Sequence, residues 1–185
     1  SGGKTLDFLP FCCAHVLDDK AQQSRCIEAM KAFNAPHSVM LLEIDSVNMY
    51  DTAAENMGKV FISTELGGGG STTAYTVEIA KKGIRNLLKH TGICEGDLEV
   101  SETLNLDMPD PRCYIFSETT GLLEHCVDLG DSVKAGQLVA KVHNIERTGV
   151  DPIEYFAGIE GIYTGRHYPG LVVNGDFLGV VAVPV

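Results

Sequence analysis

The chain has 185 residues, 44% hydrophobic and 21% charged, an ordinary globular composition with room for one large domain or two small ones. Fourteen Lys and Arg against 25 Asp and Glu give a net charge of −11, and no basic stripe occurs, so nucleic acid is excluded as a partner. No apolar run approaches the roughly 18 residues of a membrane helix and no signal-peptide core is present, so the expectation is a cytoplasmic protein with no membrane partner.

The elements follow in chain order. Ser1-Gly2-Gly3 opens the chain without an initiating Met, which reads as the continuation of a longer protein. Asp18-Asp19 can cap a helix running to about Ala35, with Cys26, Ile27, Met30 and Phe33 on one face and Pro36 as its stop. Residues 38–44 (SVMLLEI) form an apolar run of the kind found in buried strands. Asp51-Thr52-Ala53-Ala54 predicts a short helix. Residues 60–66 (VFISTEL) predict a second buried strand, which runs into Gly67-Gly68-Gly69-Gly70. A third helix is predicted from about Thr72 to His90, with Val77, Ala80, Ile84, Leu87 and Leu88 as its apolar face and Gly92 as its stop. Helices between buried strands imply α/β layers, but two or three strands make a sheet too small to cover them. The α/β part therefore reads as incomplete.

The texture changes near residues 105–112. The remaining residues carry short strands, many glycines and an internal repeat. Gly121-Leu122-Leu123-Glu124 aligns with Gly161-Ile162-Tyr163-Thr164, Leu129-Gly130 with Pro169-Gly170 and Val133 with Val173. After a one-residue deletion, Gly136-Gln137-Leu138-Val139 matches Gly175-Asp176-Phe177-Leu178. These turns resemble the barrel-sandwich, or hammerhead, fold of biotinyl and lipoyl domains. Such carriers hold a modified lysine between the half-repeats. Residues 142–149 contain none, so the carrier function is rejected. The boundaries expected are 1–108 for the α/β part and 109–185 for the all-β part.

Glu65 is the residue with the clearest chemical promise. It ends an apolar strand directly before a glycine run, and a carboxylate there is costly to bury without a purpose. The competing reading is a surface carboxylate at a strand end. The glycine run lacks the Gly-Lys-Ser/Thr of a phosphate-binding loop and is read as letting backbone pass close to something at the strand end. The six cysteines form no Cys-x-x-Cys pair and no disulfide framework, which fits free buried thiols in a reducing compartment. The six histidines (His15, His37, His90, His125, His143, His167) show no i, i+4 pairing, and each alone reads as structural or surface.

Residues 59–68 (KVFISTELGG) resemble the catalytic-glutamate strand of zinc carboxypeptidase-like enzymes. With residues 1–11 (SGGKTLDFLPF), 41–61 (LLEIDSVNMYDTAAENMGKVF) and 63–70 (STELGGGG), the chain more closely resembles the succinylglutamate desuccinylase/aspartoacylase family over essentially its whole length. The resemblance implies the C-terminal part of a zinc-carboxypeptidase-like α/β domain followed by an all-β barrel-sandwich domain. It implies zinc-dependent hydrolysis of the amide bond of a small N-acyl amino acid of the N-acetyl-diaminobutyrate kind. Glu65 would be the catalytic general base. Tyr50, in the loop before that strand, and Arg166 and His167, in the β domain, would contact substrate. The family holds Zn2+ by an early His-x-x-Glu pair and by a histidine directly before a Ser-Gly-Gly. No such pair precedes Glu65. The metal ligands are therefore expected upstream of Ser1, with none in this chain and no activity from the fragment alone. A homo-oligomer is left open. The alternatives are a non-catalytic barrel-sandwich binding or scaffold module and a zinc carboxypeptidase. The β domain and the short span from Tyr50 to Glu65 count against the peptidase.

Overall fold

A computed structural model describes residues 3–41 and 49–185. In chain order its elements are β1 (Leu6–Phe8), β2 (Phe11–His15), α1 (Lys20–Phe33), β3 (His37–Leu41), α2 (Tyr50–Asn56), β4 (Ser63–Glu65), α3 (Ala74–His90) and β5 (Leu104–Asp107). A single 3-10 turn at Pro111–Cys113 leads to β6 (Tyr114–Phe116), β7 (Gly121–His125), β8 (Ser132–Val133), β9 (Leu138–His143) and β10 (Ile153–Phe156). The last strands are β11 (Gly161–His167), β12 (Leu171–Val172) and β13 (Phe177–Pro184). The chain divides into two units: Pro10–Leu66 with Thr72–Asp107 and Val185, and Ser1–Leu9 with Gly67–Ser71 and Met108–Pro184.

The first unit is mixed α/β. Its strands lie in the order β5-β3-β2-β4, with β3 parallel to both neighbours and β4 antiparallel to β2. All five residues of β2 are buried, and alternation splits them between two faces. Cys12 and Ala14 join Cys26, Met30 and Phe33 of α1, Ala35, and Ile79 of α3 in the core. Phe11, Cys13 and His15 point the other way. Helix α1 begins as expected, with the Asp19 carboxylate accepting from the backbone N–H groups of Ala21 and Gln22. It ends before Pro36 acts, because Asn34 adopts the left-handed conformation at φ 56°.

Three expectations change here. The strand predicted over residues 60–66 is only Ser63–Glu65 and half-buried, because among the described residues it pairs with β2 on one edge. The strand predicted over 38–44 is observed at His37–Leu41, and residues 42–48 lie outside the described residues. The buried stripe of α3 is Thr76, Ile79, Gly83 and Asn86, whereas Ile84 is 55% exposed. Close approach to α1 explains this, because a Cβ on Gly83 would run into the Phe33 ring. Buried Asn86 holds the following loop through a reciprocal pair, donating to the Glu99 carbonyl at 2.8 Å and accepting from its N–H at 2.9 Å.

The second unit is all β beyond the short turn, and its repeat is wider than the sequence alignment indicates. One ladder runs β10-β9-β7-β12, and the other pairs β6 with β13, β13 with β11 and β11 with β8. Exchanging each strand for its repeat partner turns one ladder into the other. Tyr155 faces Ala140 as Ile115 faces Gly179, and Gly121 faces Val172 as Gly161 faces Val133. The partner of Val133 is therefore Val172, so the deletion falls earlier than the sequence alignment put it. Val133 and Val172 are both 1% exposed, while Val173 faces solvent. A Cβ on Gly121 would meet the His143 carbonyl, and one on Gly161 the Ala182 carbonyl. The same packing demand recurs in both halves. Strand β1 adds antiparallel to β11, from Leu6 opposite His167 to Phe8 opposite Gly165.

Candidate active site

Glu65 ends β4 directly opposite Phe11, the first residue of β2. Because β4 is antiparallel, its carboxyl end lies beside the amino end of β2. The expectation that ligand sites gather at the carboxyl ends of parallel strands therefore does not account for its position. Ser63, two residues earlier and on the same face, stands opposite Cys13. The Cys13 sulfur and Ser63 hydroxyl are 2.9 Å apart, and the thiol also reaches the Ser63 carbonyl at 3.6 Å. Burial pushes the Cys13 thiol up to about 11; the Ser63 hydrogen bond opposes this, while the charges of Glu65 and Asp51 add to it. Burial likewise raises its neighbour Cys12. Glu65, Asp51 and the neutral thiol of Cys13 thus form one electrostatic neighbourhood.

The same face continues with His15. Its Nδ1 lies 2.9 Å from Glu55 Oε1, and both side chains are buried. Gln22, also buried, donates to the carbonyls of Glu55 and Lys59 and so holds the end of α2 from α1. The His15 ring stacks on Phe61, and Tyr50 meets Phe61 edge-on at 5.6 Å. Tyr50 is 73% exposed. Tyr50 thus packs on Phe61, four residues before Glu65. Asp51, in the first turn of α2, is buried and accepts from the Thr52 N–H at 2.7 Å.

Arg166 and His167 belong to the other unit. Arg166 faces its register partner Asp7 and also Asp128, each at 3.4 Å. His167 is buried with Nδ1 donating to the Phe177 carbonyl at 3.0 Å, and its own carbonyl accepts from His125 Nε2. Burial, then the Arg166 charge, lowers the His125 pKa. The glycine run is in this unit too. Gly69 donates to the Leu6 carbonyl at 2.9 Å, and a Cβ on Gly68 would collide with that same carbonyl. Gly69 has φ +64°, and the Tyr168 ring lies where its side chain would be. The close approach that the sequence suggested is to the Leu6–Asp7 backbone and to Tyr168.

Among the described residues no three His, Cys, Asp or Glu side chains converge on a metal position. One His-x-x-Glu spacing does occur, at His143 and Glu146, after Glu65. It offers no pair of ligands, because His143 Nε2 is 2.5 Å from Glu124 and Glu146 lies in an exposed turn around Asn144. The described residues therefore do not make up a zinc site by themselves. In the sequence Cys13 and His15 stand as single residues with no local partner. Their partners, Ser63 and Glu55, lie 50 and 40 residues away, and only the alternation of β2 hinted that Phe11, Cys13 and His15 share a face.

Residues 1–91 match the succinylglutamate desuccinylase/aspartoacylase catalytic domain. Over 184 residues the chain is 48% identical to the N-alpha-acetyl-L-2,4-diaminobutyric acid deacetylase of Halomonas elongata, covering 98% of this chain and 54% of that protein. A product-bound structure of the ectoine utilization protein EutE (DoeB) from Ruegeria pomeroyi is 57% identical with a TM-score of 0.96, covering 99% of this chain and 56% of that one. A succinylglutamate desuccinylase structure from Silicibacter sp. TM1040 is 55% identical with a TM-score of 0.94, covering all of this chain and 56% of that one. The chain thus spans little more than half the length of these relatives.

Proposed function

Because the chain belongs to the succinylglutamate desuccinylase/aspartoacylase family, we propose that it forms part of an enzyme that hydrolyses the amide bond of a small N-acyl amino acid. Similarity to a diaminobutyric acid deacetylase at 48% identity supports an N-acetyl-diaminobutyrate-like substrate and acetate as one product. Glu65 is the proposed general base. One observation carries this assignment: Glu65 ends β4 one same-face step from the Cys13–Ser63 pair, within the residues matched to the catalytic domain. Its carboxylate oxygen would take a proton from the attacking water and return it to the departing amine nitrogen, a transfer worth about 10²–10⁴-fold in rate.

The side chains around the base suit this work. The buried His15–Glu55 pair holds α2 in place, and α2 carries Tyr50 and Asp51. Tyr50, exposed at the end of that helix, is a proposed substrate contact. Arg166 and His167 are proposed as further contacts; a guanidinium has N–H groups enough to hold Asp7 and Asp128 and still meet a substrate carboxylate. Zinc dependence is part of the proposal through the family alone, with ligands supplied outside the described residues. We also read the α/β unit as part of a zinc-carboxypeptidase-like domain and the β unit as a barrel sandwich, which its two exchanged ladders support. A cytoplasmic setting agrees with six free cysteines, and no described helix is long and apolar enough to cross a membrane.

The test is acetate release from N-acetyl-diaminobutyrate by the full-length enzyme, before and after chelation and after zinc is restored. Turnover lost on chelation and recovered with zinc is expected. Absence of hydrolysis across a panel of N-acetyl and N-succinyl amino acids would overturn the proposal.

A further inference from the structure

Strand β4 is three residues long and pairs with β2. A strand that short has few ladder hydrogen bonds, so the place of its last residue depends on what else ties it down. One such tie is at Ser63. Cys13 stands directly across from it, one same-face step from the Phe11–Glu65 pair. A thiol has a single hydrogen, so when it donates to the Ser63 carbonyl, the Ser63 hydroxyl donates back to sulfur. Backbone and side chain of Ser63 are then both bound to one sulfur atom. Its neighbour Cys12 faces the opposite core among α1 residues, so the backbone of β2 is anchored from behind.

We infer that Cys13 is a positioning residue for Glu65: its thiol, closed into a ring with Ser63, fixes the end of β4 and thereby the carboxylate of the base. The inference rests on Glu65 being the base. Cys13 does not act as a nucleophile in this account. It is 2% exposed, and a thiolate there would stand beside the carboxylates of Glu65 and Asp51, so the sulfur serves as a neutral donor and acceptor.

A crossed pair of substitutions in the full-length enzyme separates positioning from packing. Cys13→Ala removes both hydrogen bonds. Cys13→Ser has nearly the same volume as alanine but keeps a donor and an acceptor. Catalysis is sensitive to small misplacements, so Cys13→Ala should lower kcat about ten-fold with KM for N-acetyl-diaminobutyrate within about two-fold. Cys13→Ser should stay within about two-fold of wild type in both. If alanine preserves kcat, or if serine loses as much as alanine, the thiol only fills space and the inference fails. Glu65→Gln is run alongside. If it abolishes turnover while both Cys13 variants behave like wild type, the positioning role alone is overturned; if it retains turnover, the base assignment falls and the inference with it.

Discussion

The two units solve the same problem in opposite ways. In the β unit the demands of the repeat are met twice, by residues 39 or 40 positions apart: Gly121 and Gly161 admit a neighbouring carbonyl, and Val133 and Val172 fill equivalent sites. In the α/β unit each demand is met once, by contacts between distant residues such as Cys13 with Ser63, His15 with Glu55 and Asn86 with Glu99. Repetition makes a framework redundant and easy to read. Single long-range contacts place particular side chains, and the proposed base lies among them.

Among the single contacts of the α/β unit, the largest effect is expected at His15. Replacing it with alanine leaves the Glu55 carboxylate buried without its partner and opens a cavity, a loss of about 3 kcal/mol. Urea unfolding of the full-length protein measures this; a change below about 1 kcal/mol would show that α2 is held without the pair. The β unit is expected to respond more mildly but in matched fashion. Gly121→Ala and Gly161→Ala should each cost about 2 kcal/mol through collision with a carbonyl. One costly and one neutral substitution would disprove the equivalence of the half-repeats.

The smallest effect is a pH dependence. Cys13 keeps its proton up to about 11 in the folded state, against an ordinary value of 9.0. A folded pKa raised above the unfolded one contributes stability that is fully present below pH 9 and is lost as pH rises toward 11, because the unfolded chain releases a proton the folded state retains. The urea midpoint should therefore fall between pH 8 and pH 10, and fall less in Cys13→Ser. Equal declines in the two proteins would remove the thiol as the source.

The sequence shows these two regions with different clarity. The repeat was visible because glycines and apolar residues recur together, and only the place of the deletion was misjudged. There Val133 and Val173 look alike as letters, while burial distinguishes Val172. Helix α1 was legible from Asp19 onward, but its end at Asn34 was not, since a left-handed asparagine carries no periodic signal. In α3 the apolar letters misled: Ile84 faces solvent because Gly83 lets Phe33 approach. Glu65 could be singled out from its strand and glycine run. Cys13, Ser63, His15 and Glu55 could not be joined, because nothing local links residues 40 or 50 positions apart. The close approach of Leu6 to Gly68 and of Tyr168 to Gly69 is likewise a contact between distant residues that no local pattern signals.

The role of Glu65 as the base is decided by Glu65→Gln in the full-length enzyme. The amide keeps the size of the side chain and removes its ability to take a proton. Turnover of N-acetyl-diaminobutyrate should fall at least about a hundred-fold, with zinc content and the thermal unfolding midpoint unchanged. Turnover within a few-fold of wild type, with metal still bound, would contradict the assignment of Glu65 as the base.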